Sequence, residues 1–165
     1  MKAELFSSDF IISILVFFSA LAIIAFYYQN LQSDVYENNI RNEMYYKAMN
    51  IASLLATSSG YPQYWDSSNV EVLGFYDNGK FNLTKFEEFK EIDEQEAKKM
   101  LGAGAYNFFI SLKNTTGQII ERPGVIYSHG LPIINAEQVV KVKRLGLVNL
   151  EGKPTKVTLE VVLWI

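Results

Sequence analysis

The hydrophobic and polar positions follow one pattern at the start of the chain and another later on. Phe10–Tyr28 is an apolar run of 19 residues that only Ser13 and Ser19 interrupt, and no charged residue occurs between Asp9 and Asp34. A helix of this run would be roughly 28 Å long, which is close to the hydrocarbon thickness of a bilayer. The pattern therefore predicts a transmembrane helix over residues 10–28, with membrane lipid as its surroundings.

A buried core helix and a removable secretory signal are the alternatives for this run. Core helices are usually about 10–14 residues long, and a secretory signal ends at a small-x-small triplet in a polar setting. The triplet here, Ala20-Leu21-Ala22, is followed by further apolar residues. Lys2 precedes the run, and no basic residue follows it before Arg41, so the positive-inside rule favours a cytoplasmic N-terminus and an extracytoplasmic remainder.

The helical pattern continues beyond the apolar run, because neither glycine nor proline occurs before Gly60. Polar residues now surround one apolar stripe with steps of three to five residues, which is typical of an amphipathic helix. We expect the helix to end near residue 57, ahead of Gly60 and Pro62, and the stripe to pack against the following domain. The stripe consists of Leu31, Val35, Ile40, Met44, Ala48, Ile51 and Leu55.

Residues 60–165 show the shorter periods of strands and turns. Strands are predicted at 70–76, 105–113, 118–121, 124–127, 138–148 and 155–165, and short helices at 85–91 and 94–101, capped by Thr84 and Asp93. Tyr61, Tyr64 and Trp65 are expected to cover the junction of helix and sheet. The expected fold is α+β: a long N-terminal helix, transmembrane in 1–28 and amphipathic in 29–59, packed on a small, mostly antiparallel sheet in 60–165.

Composition and charge exclude several functions. The chain has no cysteine, one histidine and a net charge of −3, which argues against disulfides, thiol chemistry and a nucleic-acid partner. His129 is expected in a loop without catalytic partners, and the acidic residues between Glu87 and Glu96 alternate with lysines, as on a solvated helix pair. The sequence predicts no enzyme activity, catalytic residue, cofactor or metal site.

The N-terminal residues carry a resemblance to a known family. Lys2-Ala3-Glu4-Leu5, directly before the apolar helix, resembles the class III signal of archaeal type IV pilins, which is cut ahead of the apolar segment. Segments 59–65 and 72–75 are similar to archaeal pilin-like membrane proteins that have a Pro-x-x-Trp step at the helix end. The resemblance implies cleavage between Ala3 and Glu4 by a prepilin peptidase. It also implies pilus assembly machinery and like or related pilin subunits as partners.

Asp9 has two interpretations. In bacterial pilins the fifth mature residue is a glutamate; counted from Glu4 this place is Ser8, with Asp9 next. In a filament Asp9 would pair with the new α-amino group of a neighbouring subunit, whereas in a solitary chain it would cap the helix N-terminus. Two further residues, Asn82 and Asn114, begin Asn-x-Thr sequons and are candidate N-glycosylation sites.

Two functions follow from these features. The resemblance favours a structural subunit, a pilin or minor pilin, of a type IV pilus-like filament on the archaeal cell surface, with roles such as adhesion. The alternative is a solitary membrane-anchored extracytoplasmic protein that binds or senses a ligand and never polymerises. The mature N-terminal residue discriminates between them, because cleavage before Glu4 belongs to the first function.

Overall fold

The computed structural model describes residues 8–165, apart from the side chains of Ser8, Asn30 and residues 32–34. Its contacts divide the chain after Ile40 into two units, residues 1–40 and 41–165, and the following description concerns each by itself. The elements are α1 (Ser8–Thr57), β1 (Tyr76–Asp77), β2 (Lys80–Phe81), α2 (Leu83–Glu91), α3 (Glu94–Met100), β3 (Asn107–Lys113), β4 (Glu121–Arg122), β5 (Val125–Ile126), β6 (Ser128–Gly130), β7 (Val139–Leu150) and β8 (Lys153–Trp164).

The second unit is built on a four-stranded antiparallel sheet with the strand order β6-β3-β8-β7. Ile110 on β3 lies opposite Val161 on β8, which in turn lies opposite Val142 on β7. The expected α+β fold, with an N-terminal apolar helix and a small antiparallel sheet, is confirmed at this level.

Most of the core lies on one face of this sheet, here called the inner face, although Ser111, Glu160 and Val162 on the other face are also buried. Residues 41–57 of α1 pack on the inner face through Met44, Ala48, Ile51, Ala52 and Leu55, all at most 3% exposed. The buried residues of the inner face are Phe108, Ile110, Leu112, Val140, Val142, Val148, Val157, Leu159, Val161 and Leu163. Arg144 on β7 donates to Ser53 Oγ (3.0 Å) and Met49 Sδ (2.9 Å) on the helix. The predicted packing of the stripe is correct from Met44 onward.

For the start of the stripe the prediction is wrong. Leu31 and Val35 are 43% and 58% exposed, and the burial of the stripe begins only at Met44. Both residues lie in the first unit, where no other element of the described chain is present to cover them. A helical period shows which residues share a face, but it does not show how much of that face has a partner.

A cluster of aromatic rings joins α2 to the sheet. Phe86 and Phe89 lie 5.0 and 5.4 Å from Phe75, and Phe86 lies 5.8 Å from Tyr127, between ring centroids in each pair. All four are buried, and tilted or edge-on pairs of this kind add to the gain from apolar burial. The cluster fixes α2 over the β3–β6 side of the inner face.

The expected strand at 70–76 is mostly absent, because its backbone bonds to Tyr61 and to the end of α1 instead of to a long strand. Glu71 N and Val72 N donate to Tyr61 O at 2.9 and 3.1 Å. Phe75 N donates to Leu55 O at 3.0 Å, and Tyr76 N donates to Ser58 O at 2.9 Å. The last carbonyls of a helix have no partner within the helix, so this segment satisfies them. Only Tyr76–Asp77 forms a strand, paired with β2.

Several local predictions are also corrected. The cap of α2 is Asn82, whose Oδ1 accepts from Thr84 N (3.0 Å) and Lys85 N (3.4 Å), so Thr84 lies inside the helix. Glu121–Arg122 and Val125–Ile126 form a separate two-residue ladder, and the fourth strand of the main sheet is Ser128–Gly130. Tyr61 and Tyr64 are exposed, so of the three expected covering residues Trp65 alone is buried.

Candidate functional site

The apolar part of α1 is the first candidate site. Asp9–Gln29 is a 21-residue segment with a mean hydropathy of 2.7, and none of it is buried within the chain. Phe17, Phe18, Ile23, Ile24 and Phe26 are each more than 60% exposed. The segment is long and apolar enough to cross a membrane.

The two serine hydroxyls of this segment are satisfied by the helix itself. Ser13 Oγ donates to Asp9 O at 2.8 Å, and Ser19 Oγ donates to Leu15 O at 2.7 Å. With these bonds to the carbonyl one turn earlier, neither serine hydroxyl needs water as an acceptor. The two serines that interrupt the apolar run therefore do not hinder burial in a lipid or helix environment.

Asp9 lies in the first turn of α1 and is exposed. A carboxylate at this place is favoured by the partial positive charge of the helix N-terminus. The exposed carboxylate is accessible to a neighbouring chain, and both interpretations of Asp9, as a helix cap and as the partner of an α-amino group, stay predictions. Ala3 and Glu4, the predicted processing site, lie outside the described residues.

A clamp of two side chains holds the C-terminal end of α1. Trp65 Nε1 donates to Ser59 O (3.0 Å) and Gly74 O (3.2 Å), and Lys85 Nζ donates to Ser59 O (2.5 Å) and Gln63 O (2.8 Å). Lys85 is 5% exposed, and its burial lowers the pKa of its ammonium, which the charge of Asp77 raises in part.

Sequence reasoning missed Lys85, because its position in a charged helix suggests a solvated side chain. One local signal was available: Lys85 is flanked by Phe86 and Phe89, which place it beside the buried side of α2.

The outer face of the sheet, opposite the core, carries a basic group of side chains. Glu160 on β8 is 4% exposed and pairs with Lys113 Nζ (2.5 Å) and Lys143 Nζ (3.6 Å). Burial raises the pKa of this carboxyl, but the Lys113 hydrogen bond and the charges of Lys113, Lys143 and Lys141 outweigh burial, so the pKa lies below its usual value. Next to this group Leu145 is 86% exposed.

A groove lies between α3 and the loop before β1. It has a volume of about 670 Å³ and is lined by Glu71, Asp93, Gln95, Glu96, Lys99 and Met100. Asp93 also caps α3, as predicted, by accepting from Gln95 N at 2.9 Å. Within the described residues, no group of His, Asp and Glu side chains is placed to hold a metal ion.

His129 is in strand β6 and not in the predicted loop. Its ring lies 4.7 Å from that of Phe89 and 5.8 Å from that of Phe108. Burial and the charge of Lys90 lower its pKa, while a hydrogen bond to the Ile92 backbone and the charge of Asp93 act in the opposite direction. His129 is therefore a half-buried side chain that packs against aromatic rings.

The two sequons differ in their surroundings. Asn114 begins an exposed turn, and its Oδ1 accepts from Thr116 Oγ1 (2.6 Å), Thr116 N (3.0 Å) and Gln118 N (3.0 Å). Asn82 caps α2 and lies between the buried residues Phe81 and Leu83. Both asparagines are half-buried, but the residues that follow Asn114 are exposed, whereas Asn82 has buried neighbours on both sides.

No protein family, curated protein or solved structure matches this chain.

Proposed function

We propose that this chain is a structural subunit of a pilin-like surface filament, anchored by its N-terminal helix. The observation that carries the proposal is the uncovered apolar segment Asp9–Gln29, in a helix that also contributes Met44, Ala48, Ile51, Ala52 and Leu55 to the core of a small domain. A segment that is apolar on every side requires an environment of lipid or of other apolar helices.

The chemistry of the segment suits an exchange between these two environments. Association of helices in lipid gains mainly dispersion contacts and interhelical hydrogen bonds, since lipid chains are as apolar as leucine. The hydroxyls of Ser13 and Ser19 are already bonded within the helix. Moving the helix from lipid into a bundle of like helices therefore changes the free energy little. Directional contacts between the helices are needed to favour the bundle over lipid.

Asp9 supplies such a contact in this proposal. Cleavage between Ala3 and Glu4 by a prepilin peptidase would place an α-amino group at Glu4, five residues before Asp9 in the sequence. The amino group of one subunit would neutralise the exposed Asp9 carboxylate of the next, so the pair would add direction and axial register to an otherwise non-directional contact.

The test uses the full chain, expressed in an archaeal host with a type IV pilus assembly system. We expect membrane-extracted protein to begin at Glu4, and the chain to appear in the fraction of filaments sheared from the cell surface. The Asp9→Asn variant keeps the capping oxygen but loses the charge, so it should insert and fold yet be missing from the sheared fraction. Glu37→Gln is the matched control, because it removes an exposed carboxylate from the same helix.

The outcomes separate the two functions. An intact Met1, together with absence of the wild-type chain from every filament fraction, would refute the filament and favour a solitary membrane-anchored protein. Normal incorporation of Asp9→Asn would show that Asp9 is only a helix cap, while the filament itself would stand.

A further inference from the structure

β7 presents a basic row with an apolar side chain on the outer face of the sheet. Lys141, Lys143 and Leu145 follow at alternate positions, so their side chains share this face. Leu145 is 86% exposed, and Lys156 on β8, diagonal to it and opposite Leu147, is also exposed. We call Leu145 with these three lysines the basic ridge.

The groove beside α3 has the complementary character. Its acidic residues are Glu71, Asp93 and Glu96, with Lys99 as the basic residue of the lining, and Met100 supplies an apolar side chain. Its volume of about 670 Å³ is open to solvent and is not lined by any residue of the ridge. We call it the acidic groove.

The charge of the second unit divides along the chain in the same way. Residues 41–100 hold ten acidic and seven basic side chains, whereas residues 101–165 hold four acidic and seven basic ones. The unit is therefore neutral as a whole but has an acidic helical part and a basic sheet part. Complementary potentials of this kind steer the approach of partners and fix their orientation.

From this complementarity we infer that the basic ridge docks into the acidic groove of a second copy of this chain, with Leu145 directed at Met100 and the lysines at Glu71, Asp93 and Glu96. Two ridges facing each other would place lysines against lysines, so a symmetric contact of this surface with itself is disfavoured. Ridge-to-groove contact is heterologous, and heterologous contacts propagate into rings or open filaments. The inference rests on the proposed function, which supplies the high local concentration of copies that a small contact requires.

The experiment uses the full chain in membranes, with two copies that carry different affinity tags. The natural sequence has no cysteine, so each variant carries one thiol at a known place. One copy is Gln95→Cys, in the groove, and the other is Thr158→Cys, which lies opposite Leu145 on β8. A short bismaleimide should join Gln95→Cys to Thr158→Cys chains, and it should join two chains of the same variant only weakly.

Charge reversal tests the cause of the contact. Lys156→Glu in the ridge copy should lower the yield of the crosslink about tenfold, and Glu96→Lys in the groove copy should restore it. Lys153→Glu is the matched control, because it makes the same charge change in the same hairpin. Lys153 is the first residue of β8, and its side chain lies on the opposite face of the strand from that of Lys156. The yield should also fall as salt rises from 0.1 to about 1 M, because exposed charges are then screened.

Each outcome decides between the proposals. Copies that co-purify through their tags but give no crosslink between positions 95 and 158 overturn the docking inference and leave the filament standing. Equal yields with Lys156→Glu and Lys153→Glu, or a dominant crosslink between two Thr158→Cys chains, also overturn the inference. Copies that never co-purify overturn both the docking inference and the filament proposal.

Discussion

Replacing Leu55 by alanine tests whether the C-terminal part of α1 belongs to the core of the second unit. Leu55 is fully buried and lies one turn after Ile51, in the part of the stripe that is buried from Met44 onward. Its backbone oxygen accepts the hydrogen bond from Phe75 N. Truncation of a fully buried leucine costs about 2–5 kcal/mol, from lost apolar burial and from the cavity left behind. We take about 3 kcal/mol as the expected loss in the free energy of unfolding.

For a folded unit of 125 residues, 41–165, this loss corresponds to a Tm lower by about 10 °C. The matched control is Leu31→Ala, the same change in the same helix at a residue that is 43% exposed, where we expect less than about 0.5 kcal/mol. Tm is measured on the full chain in detergent micelles from the fluorescence of its two tryptophans, Trp65 and Trp164. Equal Tm values for the two variants would refute the packing of residues 41–57 in this core.

Two further predictions follow from the same structure. Folding lowers the pKa of both Glu160 and His129. Each group therefore contributes its full stability at pH values above the pKa that it has in the unfolded chain, and this contribution is lost as the pH falls. Thermal melts should therefore show stability declining below about pH 6.5 through His129 and further below about pH 4.5 through Glu160. Glu160→Gln should flatten the second decline, and an unchanged profile would contradict the assignment. A chain that begins at Gln29 should be soluble and monomeric by size-exclusion chromatography, while one that begins at Gly60 should aggregate because the inner face is uncovered; equal behaviour would contradict the packing.

Elements that depend on local sequence were predictable. The end of α1 at Thr57 follows from glycine and proline directly after it, and the cap of α3 follows from Asp93 before a helical period. The long hairpin of β7 and β8 follows from alternating apolar residues on both sides of a short Gly-containing turn. In each case the deciding interactions connect residues within a few positions of one another.

Elements that depend on distant partners were not predictable. Residues 70–76 have the composition of a strand, but their backbone bonds to Leu55 O and Ser58 O, and nothing in the segment itself indicates a helix end as its partner. β6 is three residues long, and only its pairing with Phe109–Ser111 makes it a strand. The basic ridge is of the same kind, because alternation on β7 shows that Lys143 and Leu145 share a face but not that the face stays open.

The C-terminal end of α1 is firmly bound within the second unit. At the C-terminal end, the carbonyls that a helix leaves without partners accept from Phe75 N and Tyr76 N, and the side chains of Trp65 and Lys85 hold the residues just beyond the helix. Removal of the C-terminal end of α1 and the residues just beyond it would expose the buried side chains of Met44 and Leu55. It would also deprive the buried Lys85 ammonium of its acceptors, Ser59 O and Gln63 O. No part of the segment Asp9–Gln29 is buried, and lipid and neighbouring helices offer it similar apolar surfaces. Exchange of lipid for neighbouring helices around this segment therefore costs little free energy while the domain stays folded. A subunit that leaves a membrane to enter a filament has to meet the same requirement.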